Sequence, residues 1–279
     1  MGGGRPAEHG TLVPSVITWV GARNVESLKD VAAVVVGGGS GLGEATARAL
    51  AAQGAQVAII DLAADRAAGV AASLPGATAH TADVSSPDQL ADALAEAREA
   101  HGRPRLGVVT SGIGPPQRIL GKTGPVDLSW FETTIRVNLI GSFNALRLFA
   151  ASMADNEPDA GGERGAIVLT ASIAAYEGQI GQAAYAASKG GVVGLTLPAA
   201  RDLARSGIRV NTIAPGLMDT PLLAGLPEDA RTALAADVVF PPRLGLPEEY
   251  ANLVVFAATS GYLNGEVIRL DGALRMKPR

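Results

Sequence analysis

Short apolar runs alternate with longer helical stretches along most of this chain, and this alternation constrains the fold more than any other feature. Seven runs are predicted as strands: Val31–Val36, Gln56–Asp61, Ala77–Ala82, Leu106–Thr110, Ala166–Thr170, Ile208–Ile213 and Val267–Leu270. Between them lie Ala-rich stretches with helical period, including Gly43–Ala52, Pro87–Ala100, Trp130–Met153 and Ala183–Arg205. The strand runs are apolar without alternation, which is typical of strands covered on both faces. We therefore predict an α/β fold, a Rossmann-like doubly wound parallel sheet with helices on both faces.

The composition fits one folded domain behind a short extension. Of 279 residues, 47% are hydrophobic and 18% are charged, enough to build a large core. No repeat or linker divides residues 29–279, which are predicted to form a single domain, whereas residues 1–28 are expected to be a poorly ordered extension. Glu8, Glu26 and the lack of a cationic start argue against a secretory or transit peptide, so a cytoplasmic location is expected.

Several classes of function are excluded by residue types that are missing or scarce. The chain has no Cys, so thiol chemistry and Cys-ligated metals are ruled out. His9, His80 and His101 lie far apart without a metal-ligand spacing, and no metal site is expected. A net charge of −4 gives no reason to expect a nucleic-acid partner, and no apolar run is long enough to span a bilayer.

A glycine-rich turn leaves the first predicted strand and opens the first predicted helix. It contains Gly37, Gly41 and Gly43, and such glycines let backbone N–H groups approach a pyrophosphate at a helix N-terminus. A plain tight turn is the alternative. Asp61 ends the second strand, where its carboxylate would accept hydrogen bonds from an adenosine ribose, unless it only caps a helix. Because that charge would repel a 2′-phosphate and residues 37–43 include no Arg or Lys, we predict NAD as the cofactor, not NADP.

Three residues further along the chain form a candidate catalytic group. Tyr185 and Lys189 stand four residues apart, on one face of an Ala-rich helix. Ser172 follows the fifth predicted strand, so its hydroxyl is expected at the same edge of the sheet. Lys189 and a positive nicotinamide ring would lower the pKa of Tyr185 toward neutrality, which suits a general acid and base. The alternative is an exposed helix face beside an ordinary loop serine.

Taken in chain order, these motifs resemble the short-chain dehydrogenase/reductase family. They are the glycine pattern G-x-x-x-G-x-G, Asp83-Val84, Asn138 in V-N-L, Ser172, the Y-x-x-x-K of Tyr185 and Lys189, and Pro215-Gly216 followed by Thr220. The resemblance runs from about residue 28 to the C-terminus. Residues 156–165, 177–182, 214–217 and 263–272 look like one subgroup, the type 2 3-hydroxyacyl-CoA dehydrogenases, also described as type 10 17β-hydroxysteroid dehydrogenases.

The resemblance implies a role for each matching residue. Tyr185 would be the acid and base, Ser172 would hold the substrate oxygen, and Lys189 would also bind the nicotinamide ribose. Asn138 would hold a water that links Lys189 to solvent, unless it bonds only to local backbone. Gln182 would face the substrate. Cofactor contacts would come from Gly37, Ser40, Gly41, Leu42, Gly43, Asp61, Asp83, Val84, Thr110, Ser111, Gly112, Tyr185, Lys189, Pro215, Gly216, Met218 and Thr220.

Some positions allow a second interpretation or depart from the family pattern. Asp83 alternatively caps the next helix, and Met218 alternatively belongs to the core. Val36 replaces the Thr that usually opens the glycine motif, and Val109 replaces the first Asn of N-N-A-G. We expect these two valines to be neighbours on strands one and four, an apolar pair in which both polar partners are lost together. Arg105 replaces a common Asp and is expected at the opposite edge.

Together, the motifs and the resemblance predict an NAD-dependent oxidoreductase that interconverts a secondary alcohol and a ketone. The expected pair is 3-hydroxyacyl-CoA and 3-oxoacyl-CoA, within fatty acid metabolism. The alternatives are a dehydrogenase for a steroid or other secondary alcohol, and a low-turnover NAD-binding scaffold or sensor suggested by the two valines.

Substrate and assembly are less constrained by the sequence. Residues 221–242 are expected either to cover an apolar pocket or to pack as core through Leu222, Leu223, Leu226, Val238, Val239 and Phe240. Arg118 and Lys122 are candidates to meet CoA phosphates. The family resemblance implies a homotetramer, with the helices predicted over 130–153 and 183–205 pairing across a two-fold axis.

Overall fold

The computed structural model describes Met1, residues 28–224 and residues 227–278. The strands are β1 (Ala32–Val36), β2 (Gln56–Asp61), β3 (Thr78–Thr81), β4 (Leu106–Val109), β5 (Leu120–Gly121), β6 (Gly124–Pro125), β7 (Gly165–Thr170), β8 (Ile208–Pro215) and β9 (Val267–Leu270). The helices are α1 (Gly41–Ala52), α2 (Ala64–Ala72), α3 (Pro87–His101), α4 (Leu128–Ile135), α5 (Gly141–Ala154), α6 (Ala174–Glu177), α7 (Ala183–Leu203), α8 (Pro221–Ala224), α9 (Glu228–Ala236) and α10 (Pro247–Thr259).

Seven strands form one sheet, in the order β3-β2-β1-β4-β7-β8-β9, and all its pairings are parallel. The predicted doubly wound sheet is therefore confirmed. Strand order reverses between β1 and β4, where ligands bind in open α/β sheets, beyond the carboxyl ends of the strands.

The core lies on both faces of this sheet. On one face Val36 and Val109 pack with Phe149 of α5 and Val192 of α7. On the other face a second cluster is built around α1 and α10. Every residue of β1 is buried, which explains why the strand sequences are apolar without alternation.

The predicted helix over 130–153 differs from the structure. The chain begins α4 at Leu128, where the Asp127 carboxylate accepts a hydrogen bond from the Ser129 N–H, and then passes through a π-helical turn at Arg136–Ile140 before α5. A π turn inserts one residue into an otherwise continuous helix, and the predicted helix over 130–153 did not show this interruption. The predicted end of α7 is also too late, because Ala204–Ser206 form a 3₁₀ turn.

The ends of the described chain bear on two further predictions. Residues 2–27, most of the predicted extension, lie outside the described residues, whereas Leu28 is buried against the core. Across the part of the chain that the structure describes, no helix combines the length and the apolar character that a membrane span requires.

Candidate active site

The glycine-rich turn lies at the carboxyl end of β1, against the residues that follow the neighbouring strand β4. Gly37 has φ +85° and Gly41 has φ +52°, conformations that side chains rarely adopt. A Cβ on Gly43 would lie 2.1 Å from the Gly37 carbonyl oxygen, so the first turn of α1 packs directly on the loop before it. Glycine is therefore required here by close backbone packing as well as by conformation.

The start of α1 fits the phosphates of a dinucleotide. Ser40 is its N-cap residue, but the Ser40 side chain makes no capping hydrogen bond. The first N–H groups of the helix therefore remain available to an anion, which the helix dipole also favours. Beside this turn, the Ser111 hydroxyl oxygen is buried without a hydrogen-bond partner within the described chain. An orphaned donor at this point is what a polar ligand would satisfy.

Asp61 lies under the same turn at the end of β2. Its carboxylate accepts hydrogen bonds from the Gly39 N–H at 3.0 Å and the Ala63 N–H at 2.9 Å. The carboxylate thus ties the glycine turn to the residue before α2. Asp61 is not the N-cap of α2, because that position is Ala63, and ribose binding stays a prediction. Sequence reasoning missed Arg66, whose Nη2 lies 3.5 Å from Asp61 Oδ1. Arg66 lies outside the glycine turn, five residues after Asp61, and belongs to no sequence motif.

Val36 and Val109 are register partners on β1 and β4, and both are buried in the same cluster. Their predicted proximity is confirmed. The structure adds Thr110, whose hydroxyl donates toward the carbonyl oxygens of Val36 at 3.0 Å and Gly37 at 3.1 Å. This hydroxyl lies under Gly43, 2.6 Å from where a Cβ would stand. Thr110 therefore anchors the glycine turn to β4 despite the loss of the usual polar pair.

The three candidate catalytic residues come together at the carboxyl end of β7. Ser172 lies just after that strand, and its hydroxyl accepts a hydrogen bond from the Ala174 N–H at 3.1 Å. On α7, the Lys189 ammonium lies 5.8 Å from the centre of the Tyr185 ring. Lys189 is buried and donates to the Thr170 carbonyl at 2.8 Å. The alternative of an exposed helix face is excluded by this burial.

The expected lowering of the Tyr185 pKa includes the effect of a bound nicotinamide and stays a prediction, whereas in the protein by itself the shift is in the opposite direction. Burial raises the pKa of the Tyr185 hydroxyl, and hydrogen bonding with Ser172 only partly opposes the effect. Burial also lowers the pKa of Lys189 to about 8. Desolvation disfavours the charged form of both groups, and it outweighs their proximity. Any lowering of the Tyr185 pKa must therefore come from a bound positive group.

Asn138 lies in the π-helical turn and is fully buried. Its amide bonds Ile113 twice, accepting from the N–H and donating to the carbonyl, each at 2.8 Å, and it donates to the Ser188 hydroxyl at 2.9 Å. These partners are distant in sequence, so the alternative of purely local bonding does not hold. A Cβ on Gly112 would lie 3.2 Å from Asn138 Oδ1 and 3.4 Å from Lys189 Nζ. Asn138 and Lys189 therefore converge on the backbone of Gly112.

Three of the outer cofactor positions predicted from the sequence are Asp83, Val84 and Met218, and their side chains contact other parts of the protein. Asp83 does not cap α3, because Ser86 is the cap and the Asp83 carboxylate bonds Ser85 instead. The Val84 side chain is buried in the core, where a Cβ on Gly141 would come within 2.8 Å of it. Met218 is also core. Their side chains therefore have structural contacts of their own.

The chain after β8 returns to the glycine turn. Gly216 follows Pro215, and its Cβ would lie 2.8 Å from the Asp271 Cα, so only glycine allows this approach. The Thr220 Cβ lies 3.4 Å from the Cβ position of Gly41. This contact brings the predicted nicotinamide end of the site to the start of α1.

An open cavity of about 500 Å³ lies beside the start of α7. Its lining includes Gln182, Arg118 and Ile180, so the structure brings together a predicted substrate contact and a predicted CoA contact. Lys122 is exposed elsewhere and is absent from this lining.

The segment over 221–242 packs as core at one of the predicted positions, and its covering of an apolar pocket stays a prediction. Val238 is buried with Ile173 and Leu274, as core, whereas Val239 and Phe240 are exposed. The side chains of Leu222 and Leu226 lie outside what the structure describes.

Two other findings complete the description of the site. Thr170 also joins a buried hydroxyl chain with Tyr250, whose hydroxyl lies 2.6 Å from Thr170 Oγ1. We did not single out either residue from the sequence. Among the described residues, no cluster of His, Asp and Glu side chains is suited to a metal ion.

Arg105 lies at the opposite edge of the sheet, as expected. Its guanidinium donates to the carbonyls of Glu157 and Glu163. These bonds tie the loop before β7 to β4.

A family model described as Enoyl-(Acyl carrier protein) reductase matches residues 36–274. The chain belongs to the short-chain dehydrogenase/reductase family and is an oxidoreductase acting on a CH–OH group. Dehydrogenases of this kind use a nicotinamide cofactor.

Individual relatives are similar over nearly the whole domain. The 3-hydroxyacyl-CoA dehydrogenase type-2 of Bos taurus is 52% identical over 255 residues, covering 90% of this chain and 98% of the relative. The protein of that name from Drosophila melanogaster is 49% identical, covering 90% of this chain and 100% of the relative. A crystal structure of 3-hydroxyacyl-CoA dehydrogenase type-2 from Mycobacterium avium matches with a TM-score of 0.86 at 51% identity, covering 90% of this chain and 98% of that one.

Proposed function

We propose that the chain is an NAD-dependent dehydrogenase that interconverts 3-hydroxyacyl-CoA and 3-oxoacyl-CoA esters. The observation that carries the proposal is the convergence of Ser172, Tyr185 and Lys189 beside a glycine turn suited to a dinucleotide. The names of relatives that are about half identical support the acyl-CoA substrate. Asp61 supports NAD, because its buried carboxylate would meet the ribose hydroxyls and repel a 2′-phosphate.

Each of the candidate catalytic side chains has a separate proposed role in the reaction. The nicotinamide, when bound, supplies hydride transfer with the carbon that carries the substrate oxygen. Tyr185 transfers the proton at that oxygen, and Ser172 donates a hydrogen bond that holds the oxygen in place. Lys189 provides a positive charge that favours the tyrosinate form of Tyr185. Asn138 holds the backbone around Gly112 and positions a water beside Lys189.

The cavity lined by Gln182 and Arg118 is the proposed substrate side of the site. Its position next to α7 suits an acyl chain that approaches Tyr185. Arg118 is exposed at its rim, where its guanidinium suits a CoA phosphate.

A homotetramer is the proposed assembly. Phe143 on α5 and Leu197 on α7 are 49% and 44% exposed, which suits pairing of these helices between subunits. Sedimentation equilibrium tests this assembly, and a monomer at micromolar concentration would contradict it.

Tyr185→Phe tests the proposed reaction. It should abolish turnover of 3-hydroxybutyryl-CoA with NAD and leave the Kd for NAD within a few-fold, because it removes the transferred proton but few cofactor contacts. Tyr262→Phe is the matched control, since Tyr262 is fully exposed. Retention of more than about a tenth of the wild-type kcat would contradict the role of Tyr185.

The same assay separates the alternative functions. Faster turnover of a steroid or another secondary alcohol would favour a different substrate class. Binding of NAD without turnover of any alcohol would favour a scaffold or sensor. The Thr110 anchor of the glycine turn argues against a weakened cofactor site.

A further inference from the structure

A buried tyrosine reaches the end of the strand that precedes the candidate catalytic group. Tyr250 lies on α10 within the cluster around α1 and α10, and it is fully buried. Its hydroxyl lies 2.6 Å from Thr170 Oγ1. The Thr170 hydroxyl also lies 2.6 Å from the Val109 carbonyl oxygen. These contacts link α10 to β7 and β4 at the carboxyl ends of the two strands.

The chemistry of the three groups fixes the direction of these hydrogen bonds. A carbonyl oxygen only accepts, so the single hydroxyl proton of Thr170 is donated to Val109. The Tyr250 hydroxyl must then donate to Thr170 Oγ1. Burial raises the pKa of Tyr250, so its hydroxyl keeps the proton that it donates. The Thr170 hydroxyl is therefore held by one donor and one acceptor, and turning its side chain would break both bonds.

The backbone of Thr170 holds the ammonium of the candidate catalytic group. The Thr170 carbonyl accepts a hydrogen bond from Lys189 Nζ at 2.8 Å. Lys189 comes from α7, which packs on one face of the sheet, whereas Tyr250 comes from α10 on the other face. Thr170 thus contacts Tyr250 through its side chain and Lys189 through its carbonyl. A change at the side chain is therefore passed to the ammonium.

The groups that face Lys189 come from several elements. On α7 itself, the Tyr185 ring lies 5.8 Å from Nζ, and Tyr185 also hydrogen-bonds with Ser172. The π-helical turn contributes the neutral amide of Asn138, and β7 contributes the Thr170 carbonyl. Burial is the cause that lowers the pKa of Lys189 to about 8. A buried ammonium in such neutral surroundings depends on the carbonyl that accepts from it.

We propose that Tyr250 is a positioning residue for the reaction: its hydroxyl fixes Thr170 and thereby keeps the Thr170 carbonyl on the Lys189 ammonium. This inference rests on the proposed function. Without the Tyr250 hydroxyl, Thr170 Oγ1 loses its donor and the end of β7 is held less tightly. The ammonium then loses part of the support for its charged form, and the tyrosinate form of Tyr185 loses part of its positive neighbour. Tyr185 therefore acts as a base only at higher pH.

Tyr250→Phe tests this role, because it removes one oxygen atom and keeps the ring that fills the core. Oxidation of 3-hydroxybutyryl-CoA with NAD is measured across pH. The kcat should fall about tenfold near neutral pH, and the rise of kcat with pH should move upward by about one unit. The KM for the substrate and the Kd for NAD should stay within a few-fold.

Thr196→Val is the matched control. It removes another buried hydroxyl from α7, one that lies 2.6 Å from the Thr212 hydroxyl. This variant loses a contact of the same kind and length, away from the candidate site, and its pH profile should match that of the wild type. An unchanged pH profile in Tyr250→Phe, or an equal shift in Thr196→Val, would overturn the inference.

Variants of Thr170 show whether Tyr250 acts through this residue. Thr170→Val should reproduce the upward shift, whereas Thr170→Ser, which keeps the hydroxyl, should stay within about threefold of the wild-type kcat. Adding Tyr250→Phe to Thr170→Val should have no further effect. Effects that multiply in the double variant would overturn the inference. If Tyr250→Phe does not fold, equal pH profiles for Thr170→Val and Thr170→Ser would overturn it.

Failure of the proposed function would look different. A wild type that binds NAD but oxidises no 3-hydroxyacyl-CoA would contradict the proposed substrate, and the pH profiles are then measured with the alcohol that it does oxidise. If no alcohol is oxidised, the tyrosinate absorbance of the NAD complex is titrated, with Tyr185→Phe identifying the signal of Tyr185. The midpoint should move to higher pH in Tyr250→Phe, and a midpoint equal to that of the wild type would overturn the inference.

Discussion

Replacing Lys189 with methionine should stabilise the protein at neutral pH while removing its turnover. Lys189 is 3% exposed, and burial lowers its pKa from 10.5 to about 8. One pKa unit corresponds to about 1.36 kcal/mol, so holding the charged ammonium in the folded state costs about 3 kcal/mol. Methionine fills similar space without a charge to desolvate. The lost hydrogen bond from the charged ammonium to the buried Thr170 carbonyl offsets about 2 kcal/mol, which leaves a net gain of about 1 kcal/mol.

The gain should shrink as pH rises. The pKa of Lys189 is lower in the folded protein than in the unfolded chain, so between pH 8 and 10.5 the unfolded chain binds more protons. The free energy of unfolding of the wild type therefore rises across that window, whereas the methionine variant has no such dependence at this position. The difference between the two proteins is largest below pH 8 and is lost by pH 10.5.

Urea unfolding without cofactor, at about pH 7 and about pH 10, measures both the gain and its loss. Lys122→Met is the matched control, because Lys122 is exposed and its replacement should change neither value. A Lys189→Met protein less stable than the wild type at neutral pH would refute the reasoning, as would a difference that is the same at both pH values.

Other outcomes follow from single contacts. Thr110→Val should weaken the Kd for ADP by about tenfold, whereas Thr110→Ser keeps it, and equal Kd values for both variants would argue against a hydroxyl anchor. Arg209→Met should cost about 3 kcal/mol in urea unfolding, because it leaves the partly buried Glu163 carboxylate unpaired and removes the donor to the Ala257 and Ala258 carbonyls; a cost under about 1 kcal/mol would contradict this. Burial and His80 lower the pKa of His101, so the stability it contributes above pH 6.5 is lost as pH falls. In His101→Gln, the melting temperature should fall less than in the wild type as the pH decreases below 6.5. The same dependence of melting temperature on pH in both proteins would contradict this role of His101.

The main sheet was predictable because its central strands are apolar without alternation, as expected for strands that are buried on both faces. The apolar run ending at Val36 fits a strand covered on both faces, and its pairing with the run ending at Val109 follows from the usual order of such folds. The small hairpin of β5 and β6 was not predictable, since strands of two residues leave no periodic pattern.

The sequence predicted which candidate site residues lie near one another, but it did not predict the environment around them. Spacing placed Tyr185 and Lys189 on one helix face, but the degree of burial that raises the Tyr185 pKa depends on every element packed around α7. The π-helical turn around Asn138 depends on a one-residue shift in hydrogen bonding, to which helical periodicity is insensitive. Arg66 was missed because its nearness to Asp61 comes from the turn into α2 and not from the glycine motif.

The anchor between Thr110 and the β1 carbonyls also has a kinetic consequence. It joins residues 74 positions apart in the sequence, and the next strand along adds a second long link, from Thr170 to the Val109 carbonyl, across 61 positions. Closing such loops costs chain entropy before native contacts repay it, which makes parallel sheets slow to form. The glycine turn that is proposed to bind the cofactor is complete only after β4 has docked beside β1. During refolding, nucleotide binding should therefore return only when the central strands of the sheet have paired. Partly folded chains that lack this pairing should not bind the cofactor.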